Sequence, residues 1–299
     1  MHPLIDLHSH TDFSDGTFAP AALVQHAAES GITLLAVTDH DTVDSYLPAL
    51  EEAQRLGIQL LCGVELSTHA EPSERSVHLL GYFSTLPPQS FCNWLRKLQE
   101  GRRERNIELL ARLRSLGLEL TWDEVQRLAQ RQVGRPHFAQ ALVARGYVSS
   151  LREAFDRYLG EGAAAWVERD EPPLTETLAA LREAEGVSSL AHPVRIANDA
   201  EALGEFIAQY ATLGLDAVEC FHPEISPELS QYLVQTASEL GLGITGGSDF
   251  HGANKPGIAI GTGKNQSLCV PKAVEEWIIA KLGAVAAKDE RCRSSRNEG

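Results

Sequence analysis

The sequence has no long apolar run, no paired-cysteine motif and fewer basic than acidic residues. No stretch of the 299 residues approaches the roughly 18 consecutive apolar residues that a membrane helix requires. The amino terminus also lacks the basic region and apolar run that mark a secretory signal peptide. These absences predict a cytoplasmic protein with no membrane partner.

The cysteines are too few and too irregularly spaced for a disulfide framework. Their number is odd and none forms a C-x-x-C pair: Cys62, Cys92, Cys220, Cys269 and Cys292. This usage predicts reduced thiols, in agreement with a cytoplasmic location.

The balance of charge is strongly acidic, with a formal net charge of −15. A chain of this kind is not expected to bind long nucleic acid through a basic surface. An anionic small substrate is still compatible with it, because bound metal ions can reverse the local field.

Short apolar segments alternate with helical patterns, except in the middle of the chain. Seven segments are strand candidates: 4–7, 33–37, 58–61, 77–80, 187–191, 217–220 and 243–245. Strands separated by helices predict βα units and a mostly parallel sheet, that is, an α/β fold with a barrel-like arrangement.

The middle of the chain shows helical patterns without strand alternation. A long, heavily charged pattern covers residues 92–116, and shorter helical patterns follow it. We therefore expect residues 1–100 and 171–283 to form the barrel and residues 101–170 a helical insert. Residues 284–299 are small and charged and are predicted to be a disordered tail.

Histidines and carboxylates recur where the strand candidates end. His8 and His10 follow the first strand, and Asp249 and His251 follow the last, each pair with an i, i+2 spacing that directs both side chains to one side. The full set comprises nine residues: His8, His10, Asp15, His40, Glu65, His78, His192, Asp249 and His251. Because the βα junctions of a barrel converge on one face, we expect these side chains to share one site.

Each of these residues has an ordinary alternative role when taken alone. A His-x-His pair occurs in strands without a metal, Asp15 could shape a turn, and Asp249 could cap a helix. Coincidence would, however, have to place six of the 11 histidines at strand ends.

A nitrogen and oxygen donor set without thiolates suits zinc, manganese or iron. Nine ligands exceed what one ion needs, so we expect two or three divalent ions. Three such ions, three carboxylates and one hydroxide would leave a net positive charge, which suits a phosphate dianion.

The ordered motifs resemble those of the PHP family, named for polymerase and histidinol phosphatase. The matching motifs are Asp6-Leu7-His8-Ser9-His10, Ser14-Asp15-Gly16, Thr38-Asp39-His40, Glu65, His78, Ala191-His192-Pro193 and Gly247-Ser248-Asp249-Phe250-His251. The resemblance spans residues 1–260 apart from the insert. It implies a distorted (β/α)7 barrel with two or three divalent metals, for which manganese is expected and zinc or iron are the alternatives.

The resemblance also implies how the metals are held. The implied sets are His8, His10, Glu65 and Asp249 for one ion, Glu65, His78 and His192 for a second, and Asp15, His40 and His251 for a third. Catalysis would be the attack of a metal-bound hydroxide on phosphorus, with Asp249 and His192 as catalytic residues. No Ser, Cys or Asp stands out as a nucleophile with a paired base.

The motif Gly134-Arg135-Pro136-His137 and the position of the insert resemble a bacterial PHP subgroup that hydrolyses nucleotide 3′,5′-bisphosphates. Members of that subgroup also degrade short RNA from its 5′ end. This implies a phosphomonoesterase that removes the 3′-phosphate of a nucleoside 3′,5′-bisphosphate, with short 5′-phosphorylated RNA as a further substrate. The candidate phosphate-binding residues are Arg135, His137, Arg195 and His222, because guanidinium groups and a helix start both favour phosphate.

Other functions stay open at this point. One alternative is a histidinol phosphatase or another small phosphomonoesterase, and another is an amidohydrolase that cleaves C–N bonds. A different class is a non-catalytic PHP module that supports a partner, although such a module is expected to lose ligands and this chain keeps all nine. No required protein partner is predicted, and the metal, the physiological substrate and the oligomeric state are not determined by the sequence.

Overall fold

A seven-stranded sheet forms the centre of the computed structural model, which describes residues 4–71, 75–129, 131–197 and 199–297, with side chains up to residue 285. The strands are β1 (Leu4–Asp6), β2 (Ile32–Val37), β3 (Gln59–Ala70), β4 (Arg75–Phe83), β5 (Val187–Leu190), β6 (Ala217–Phe221) and β7 (Gly243–Gly246). They lie side by side in sequence order. All seven predicted strands and the α/β fold class are confirmed.

One strand departs from the parallel arrangement. β4 pairs in the antiparallel sense with both β3 and β5, whereas the remaining neighbours pair in parallel. β3 ends at Ala70 and β4 begins at Arg75, and so short a connection can only join antiparallel strands.

The chain segments that follow β1 and β7 close the barrel. The N–H of Leu7 donates to the carbonyl of Gly246 at 3.1 Å, and the N–H of Asp249 donates to the carbonyl of His8 at 2.8 Å. Glycine is required at position 247, because a Cβ there would lie 2.3 Å from the backbone nitrogen of His8. This close approach brings the first and last metal-type motifs together.

The two faces of the sheet pack against different helices. On β2, Leu35 and Val37 face a large outer cluster, whereas Leu34 and Ala36 face an inner cluster with Val274 of the last helix. This alternation is the two-residue period of a strand. The helices outside the middle segment are α1 (Pro20–Glu29), α2 (Tyr46–Leu56), α7 (Leu174–Glu183), α8 (Ala200–Thr212), α9 (Pro227–Glu239) and α10 (Lys272–Asn297).

The segment between β4 and α7 is helical and has a hydrophobic cluster of its own. Its helices are α3 (Gln89–Ser115), α4 (Trp122–Leu128), α5 (Arg135–Ala144) and α6 (Leu151–Ala154), continued by a π-helical turn at Phe155–Leu159. α3 connects both cores, because Leu95 packs in the barrel cluster and Leu110 in the insert cluster. The expected boundary at residue 100 therefore falls inside one continuous helix.

The end of the chain differs from the prediction. Residues 284–299 were expected to be disordered, whereas α10 continues as a helix to Asn297. Residues 284–297 contain no proline or glycine, and their three alanines and three arginines favour helix. Local helix propensity explains the difference.

Two other expectations concern cysteines and membranes. Cys62, Cys92, Cys220 and Cys269 are free, and the side chain of Cys292 lies outside the described residues. Among the helices that the structure describes, none combines the length and the apolar character needed to cross a bilayer.

Candidate metal centre

The nine metal-type side chains lie at one end of the sheet. Glu65 is their hub, because its two carboxylate oxygens contact five of the six histidines. Oε1 lies 2.7 Å from His78 and 2.8 Å from His192. Oε2 lies 3.2 Å from His10 and from His40, and 3.4 Å from His8. The sixth histidine, His251, is joined to the cluster by Asp15 at 3.2 Å and Asp249 at 3.4 Å.

Four overlapping groups of ligand atoms in this region are compact enough to surround a cation, with all atoms of a group within 4.8 Å of one another. The groups are His10, Asp15, His40 and His251; His8, His10 and Asp249; His40, Glu65 and His78; and His8, Glu219 and His222. Compared with the implied ligand sets, the first group adds His10 to the third set, the second group lacks Glu65 of the first set, and the third group has His40 in place of His192 of the second set. The fourth group lies outside the predicted set.

Four buried polar atoms of the cluster lie within 3.4 Å of an oppositely charged group but form no hydrogen bond of normal geometry among the described residues. They are Nε2 of His8, Nε2 of His10, Oδ1 of Asp15 and Nδ1 of His40. Leaving a buried polar atom without a partner costs about 1–3 kcal/mol. Divalent ions would provide partners for all four atoms, and the histidine and carboxylate donor set suits such ions. The residues therefore fit the metals that the sequence predicted.

Glu219 holds two of the cluster residues from behind. Its Oε1 lies 2.9 Å from Nδ1 of His8, and its Oε2 accepts the backbone N–H of His192 at 2.6 Å. A carboxylate on one ring nitrogen directs the other nitrogen towards a metal. Sequence analysis missed Glu219, although an acidic residue inside the apolar strand Ala217–Phe221 was a visible signal.

The loop after β1 is shaped by Asp39. This buried carboxylate accepts the N–H of Thr11 at 2.8 Å and the hydroxyl groups of Thr11 and Ser14 at 2.6 and 2.5 Å. The loop then places Asp15 between His40 and His251. Asp39 therefore acts on the cluster through the position of Asp15.

Two cluster residues have an unusual backbone. His192 has a φ of +28° and Asp249 a φ of +53°, a region that non-glycine residues enter at a cost of about 1–3 kcal/mol. Such strain persists where the surrounding structure holds the residue in place. Here Glu219 binds the N–H of His192, and the carbonyl of His8 binds the N–H of Asp249.

The electrostatic environment favours ionised carboxylates. Burial alone would raise the carboxyl pKa values, but the facing histidines and Lys255 hold the pKa of Asp15, Glu65 and Asp249 well below its usual range. Burial lowers the pKa of His40 to about 3, whereas the facing carboxylates outweigh burial at His10 and raise its pKa to about 9. Ionised carboxylates and neutral imidazoles are the forms that bind metals.

The cluster opens into a cavity of about 620 Å³ whose other wall comes from the helical segment. That wall includes two aromatic residues and four arginines: Phe155, Trp166, Arg102, Arg105, Arg135 and Arg169. Cavities of this size accommodate ligands as large as a nucleotide.

The predicted phosphate-binding residues are placed in two different ways. Arg135 and Arg195 line the cavity, although the guanidinium of Arg195 already contacts Glu224. His137 and His222 are not among the lining residues. Nδ1 of His137 accepts the N–H of Gly134 at 2.9 Å and so caps α5.

His222 lies behind the cluster. Its Nδ1 accepts the N–H of Glu224 at 3.1 Å, and its Nε2 lies 3.4 Å from Asp249. This position suits a residue that holds Asp249 in place more than one that contacts a second phosphate.

Sequence analysis also missed Lys255 and three of the cavity arginines. Lys255 lies 2.5 Å from Asp249. Arg102 and Arg105 belong to the charged helix α3, but they continue the spacing of Leu98 and Leu109 along one face. A helical period of three to four residues places them on the buried side, and that spacing was the available signal.

Comparison with known proteins agrees with this geometry. The model of the PHP domain family matches residues 6–159. The 5′-3′ exoribonuclease Rnm of Escherichia coli is 34% identical over 275 residues, which cover 91% of this chain and 92% of that protein. The 3′,5′-nucleoside bisphosphate phosphatase of Chromobacterium violaceum is 30% identical over 259 residues, covering 86% and 90%. A solved structure described as a metal-dependent phosphoesterase of Bifidobacterium adolescentis superimposes with a TM-score of 0.79 at 30% identity, covering 94% of this chain and 97% of that one.

Proposed function

The chain belongs to the PHP domain family of metal-dependent phosphoesterases, and from this premise we propose that it removes the 3′-phosphate of nucleoside 3′,5′-bisphosphates. One observation carries the proposal: a single cavity has a metal-type cluster on the barrel wall and arginines on the insert wall. A substrate with two phosphates can use both walls, one for the reaction and one for binding.

The nine cluster residues would hold two or three divalent ions, for which we expect manganese. Such ions supply a water nucleophile at neutral pH and stabilise the negative charge of a transferring phosphoryl group. The chain contributes the geometry. Glu65 holds the histidines together, while Glu219 fixes the ring orientation of His8 and the backbone of His192.

Asp249 is the cluster residue with the most cationic neighbours. Its Oδ2 contacts Lys255 at 2.5 Å and Arg195 at 3.2 Å, while its Oδ1 faces His8 and His10 at 3.6 and 3.5 Å. Positively charged groups at this position also stabilise a phosphate that approaches the cluster. The sequence analysis names Asp249 and His192 as catalytic residues, and we keep both as the candidates for the groups closest to the reacting phosphate.

The insert would close the cavity over the substrate. Gln132 donates to the carbonyl of His40 at 3.0 Å, and Gln140 donates to Asn254 at 2.6 Å. These contacts tie α5 and the preceding loop to the metal-type motifs. We propose that residues 101–170 act as a cap that limits the site to mononucleotides and short chain ends.

A second candidate function is the trimming of short 5′-phosphorylated RNA. It is supported by the 34% identity to the exoribonuclease of Escherichia coli. The same two walls would then bind the 5′-phosphate and the adjacent phosphodiester.

The deciding experiment compares kcat/KM for adenosine 3′,5′-bisphosphate with the values for 3′-AMP, 5′-AMP and histidinol phosphate. We expect the bisphosphate to be preferred by at least about tenfold, which corresponds to roughly 1.4 kcal/mol of transition-state binding. A preference for histidinol phosphate would overturn the proposal, as would equal values for the bisphosphate and 3′-AMP.

A further inference from the structure

One of the four compact groups of ligand atoms is carried by the loops after β1, β2 and β7. This loop group consists of His10, Asp15, His40 and His251. Asp15 is its centre, because its carboxylate lies 3.2 Å from His251 and 3.7 Å from both His10 and His40. Asp15 belongs to none of the other compact groups of the described chain, so a change at Asp15 addresses this group alone.

Two glutamines of the helical segment bind the backbone of the loop after β2. Nε2 of Gln132 donates to the carbonyl of His40 at 3.0 Å, and Nε2 of Gln99 donates to the carbonyl of the adjacent Asp41 at 2.9 Å. Hydrogen bonds to the backbone fix the position of the loop itself, so they also restrict where the imidazole of His40 can lie.

Asp41 ties the same loop to two arginines of the helical segment. Its carboxylate lies 2.6 Å from Arg102 and 3.0 Å from Arg169. Asp41 also has a φ of +55°, a strained conformation that persists where the surrounding structure holds the residue. Because removing one member of a buried ion pair destabilises the fold, these arginines keep the segment attached to the barrel, and the neutral glutamines are the contacts that can be removed singly.

The helical segment reaches the other two loops through α5 and the residues before it. Gln140 donates to Oδ1 of Asn254, in the loop after β7, at 2.6 Å, and Nδ2 of Asn254 donates to the carbonyl of Asp15 at 2.7 Å. The guanidinium of Arg131 lies 3.9 Å from the centroid of the Phe13 ring, in the same loop as Asp15. All three loops of the loop group therefore contact the helical segment.

The remaining cluster residues are held by the barrel. Glu219 orients His8 and the backbone of His192. Lys255 contacts Asp249 at 2.5 Å. Within the ranges that the structure describes, no hydrogen bond or ion pair joins the helical segment to five cluster residues: His8, Glu65, His78, His192 and Asp249. The helical segment thus contacts one group of ligands directly and not the others.

We propose that Gln132, Gln140 and Asn254 are positioning residues for the ion of the loop group, so that this ion binds tightly only when the helical segment lies on the barrel. The ions of the other groups bind to the barrel alone. The proposal rests on the proposed function only in requiring divalent ions, and not on the identity of the phosphate ester. Residues that fix metal ligands from outside commonly change metal affinity by about 10–100-fold. Because such coupling is reciprocal, filling the loop group also stabilises the docked helical segment.

The test uses manganese alone as the probe and binding as the readout. Gln132→Met combined with Gln140→Met removes both amide donors with little change in size and none in charge. Titration of the metal-depleted full-length protein, with free manganese followed by electron paramagnetic resonance, gives an affinity for each ion. We expect the double variant to bind one ion about tenfold more weakly and the remaining ions as the wild type does.

Two matched variants identify the ion and exclude a general effect. Gln126→Met changes an exposed glutamine of α4 that accepts a hydrogen bond from Trp122 of the same helix at 2.7 Å, so every manganese affinity should stay unchanged. Asp15→Asn removes the centre of the loop group and should weaken the same ion as the double variant. In the Asp15→Asn protein, the glutamine substitutions should cause no further change, because two changes that act on one ion are not additive.

Hydrogen exchange tests the reciprocal effect. Manganese should slow the exchange of the backbone amides of residues 131–140 in the wild type but not in Asp15→Asn. This measurement leaves the helical segment unchanged, so it tests the proposal even if the double variant does not fold.

Three binding results would overturn the proposal: equal weakening of all ions in the double variant, wild-type affinities throughout, or an Asp15→Asn protein that binds manganese as the wild type does. Protection of residues 131–140 that persists in Asp15→Asn would contradict it as well. The proposed function fails separately, through kcat/KM values that do not favour the bisphosphate, and such values leave the manganese titrations as they are.

Discussion

The barrel wall of the cavity presents ring nitrogens and carboxylate oxygens, whereas the insert wall presents guanidinium groups. On the barrel wall, four buried polar atoms form no hydrogen bond with the part of the chain that the structure describes, and the carboxylates are held ionised. On the insert wall, four arginines line the cavity, and Arg102 and Arg169 share the carboxylate of Asp41. The two walls therefore suit different ligands: the first offers nitrogen and oxygen donors to cations, and the second offers guanidinium groups to an anion.

The largest expected effect comes from removing the hub of the barrel wall. Glu65→Gln keeps the size of the side chain but removes the charge that faces five histidines. We expect activity to fall by about 10³-fold or more, the scale of loss when a group of a catalytic centre is removed. Initial rates with added manganese, together with metal content by mass spectrometry, would measure this. Glu100→Gln, at an exposed position on α3, is the control, and a Glu65→Gln enzyme with full activity would contradict the role of the cluster.

A smaller effect is expected when Glu219, which lies behind the barrel wall, is changed. Glu219→Gln would weaken the orientation of His8 and lower metal affinity by about 10–100-fold, as is usual for carboxylates that orient metal-binding histidines. Competition with a chelator measures the affinity independently of turnover. An unchanged affinity would show that Glu219 serves the fold alone.

A substitution on the insert wall should weaken substrate binding and leave metal binding unchanged. Arg135→Met leaves the cluster intact, so metal content should not change, while KM for adenosine 3′,5′-bisphosphate should rise about tenfold, or roughly 1.4 kcal/mol. Steady-state kinetics of the manganese enzyme would test this. A loss of metal with no change in KM would reverse the assignment of the two walls.

The smallest effect on activity is expected at His137, next to but outside the cavity. His137→Ala removes the acceptor for the N–H of Gly134 and should lower the free energy of unfolding by about 1–2 kcal/mol. KM should stay within about twofold of the wild type. Urea unfolding measures the free energy of unfolding, and steady-state kinetics measure KM. A tenfold rise in KM would support the sequence-based prediction that His137 contacts phosphate.

The barrel wall could largely be predicted from the sequence, because most of its residues follow a strand within a short motif, whereas Glu65 and His78 lie inside β3 and β4. The fold could also be predicted from the sequence, apart from the antiparallel direction of β4 and the helical continuation of α10.

Of the four arginines on the insert wall, only Arg135 was predicted, from the motif Gly134-Arg135-Pro136-His137. The arginines of this wall come from α3, α5 and the segment before α7, and no motif joins them. Arg102 and Arg105 lie in a charged sequence that is typical of a solvated helix face. Only their alignment with Leu98 and Leu109 indicates that they are buried.

The most direct test of the two-wall account is a crystal structure with manganese and adenosine 5′-monophosphate, with diffraction data at the manganese absorption edge. The account predicts two or three anomalous peaks among the nine cluster residues and the 5′-phosphate within hydrogen-bond distance of Arg105 and Arg135. Manganese bound away from Glu65, or a 5′-phosphate that contacts neither arginine, would contradict it.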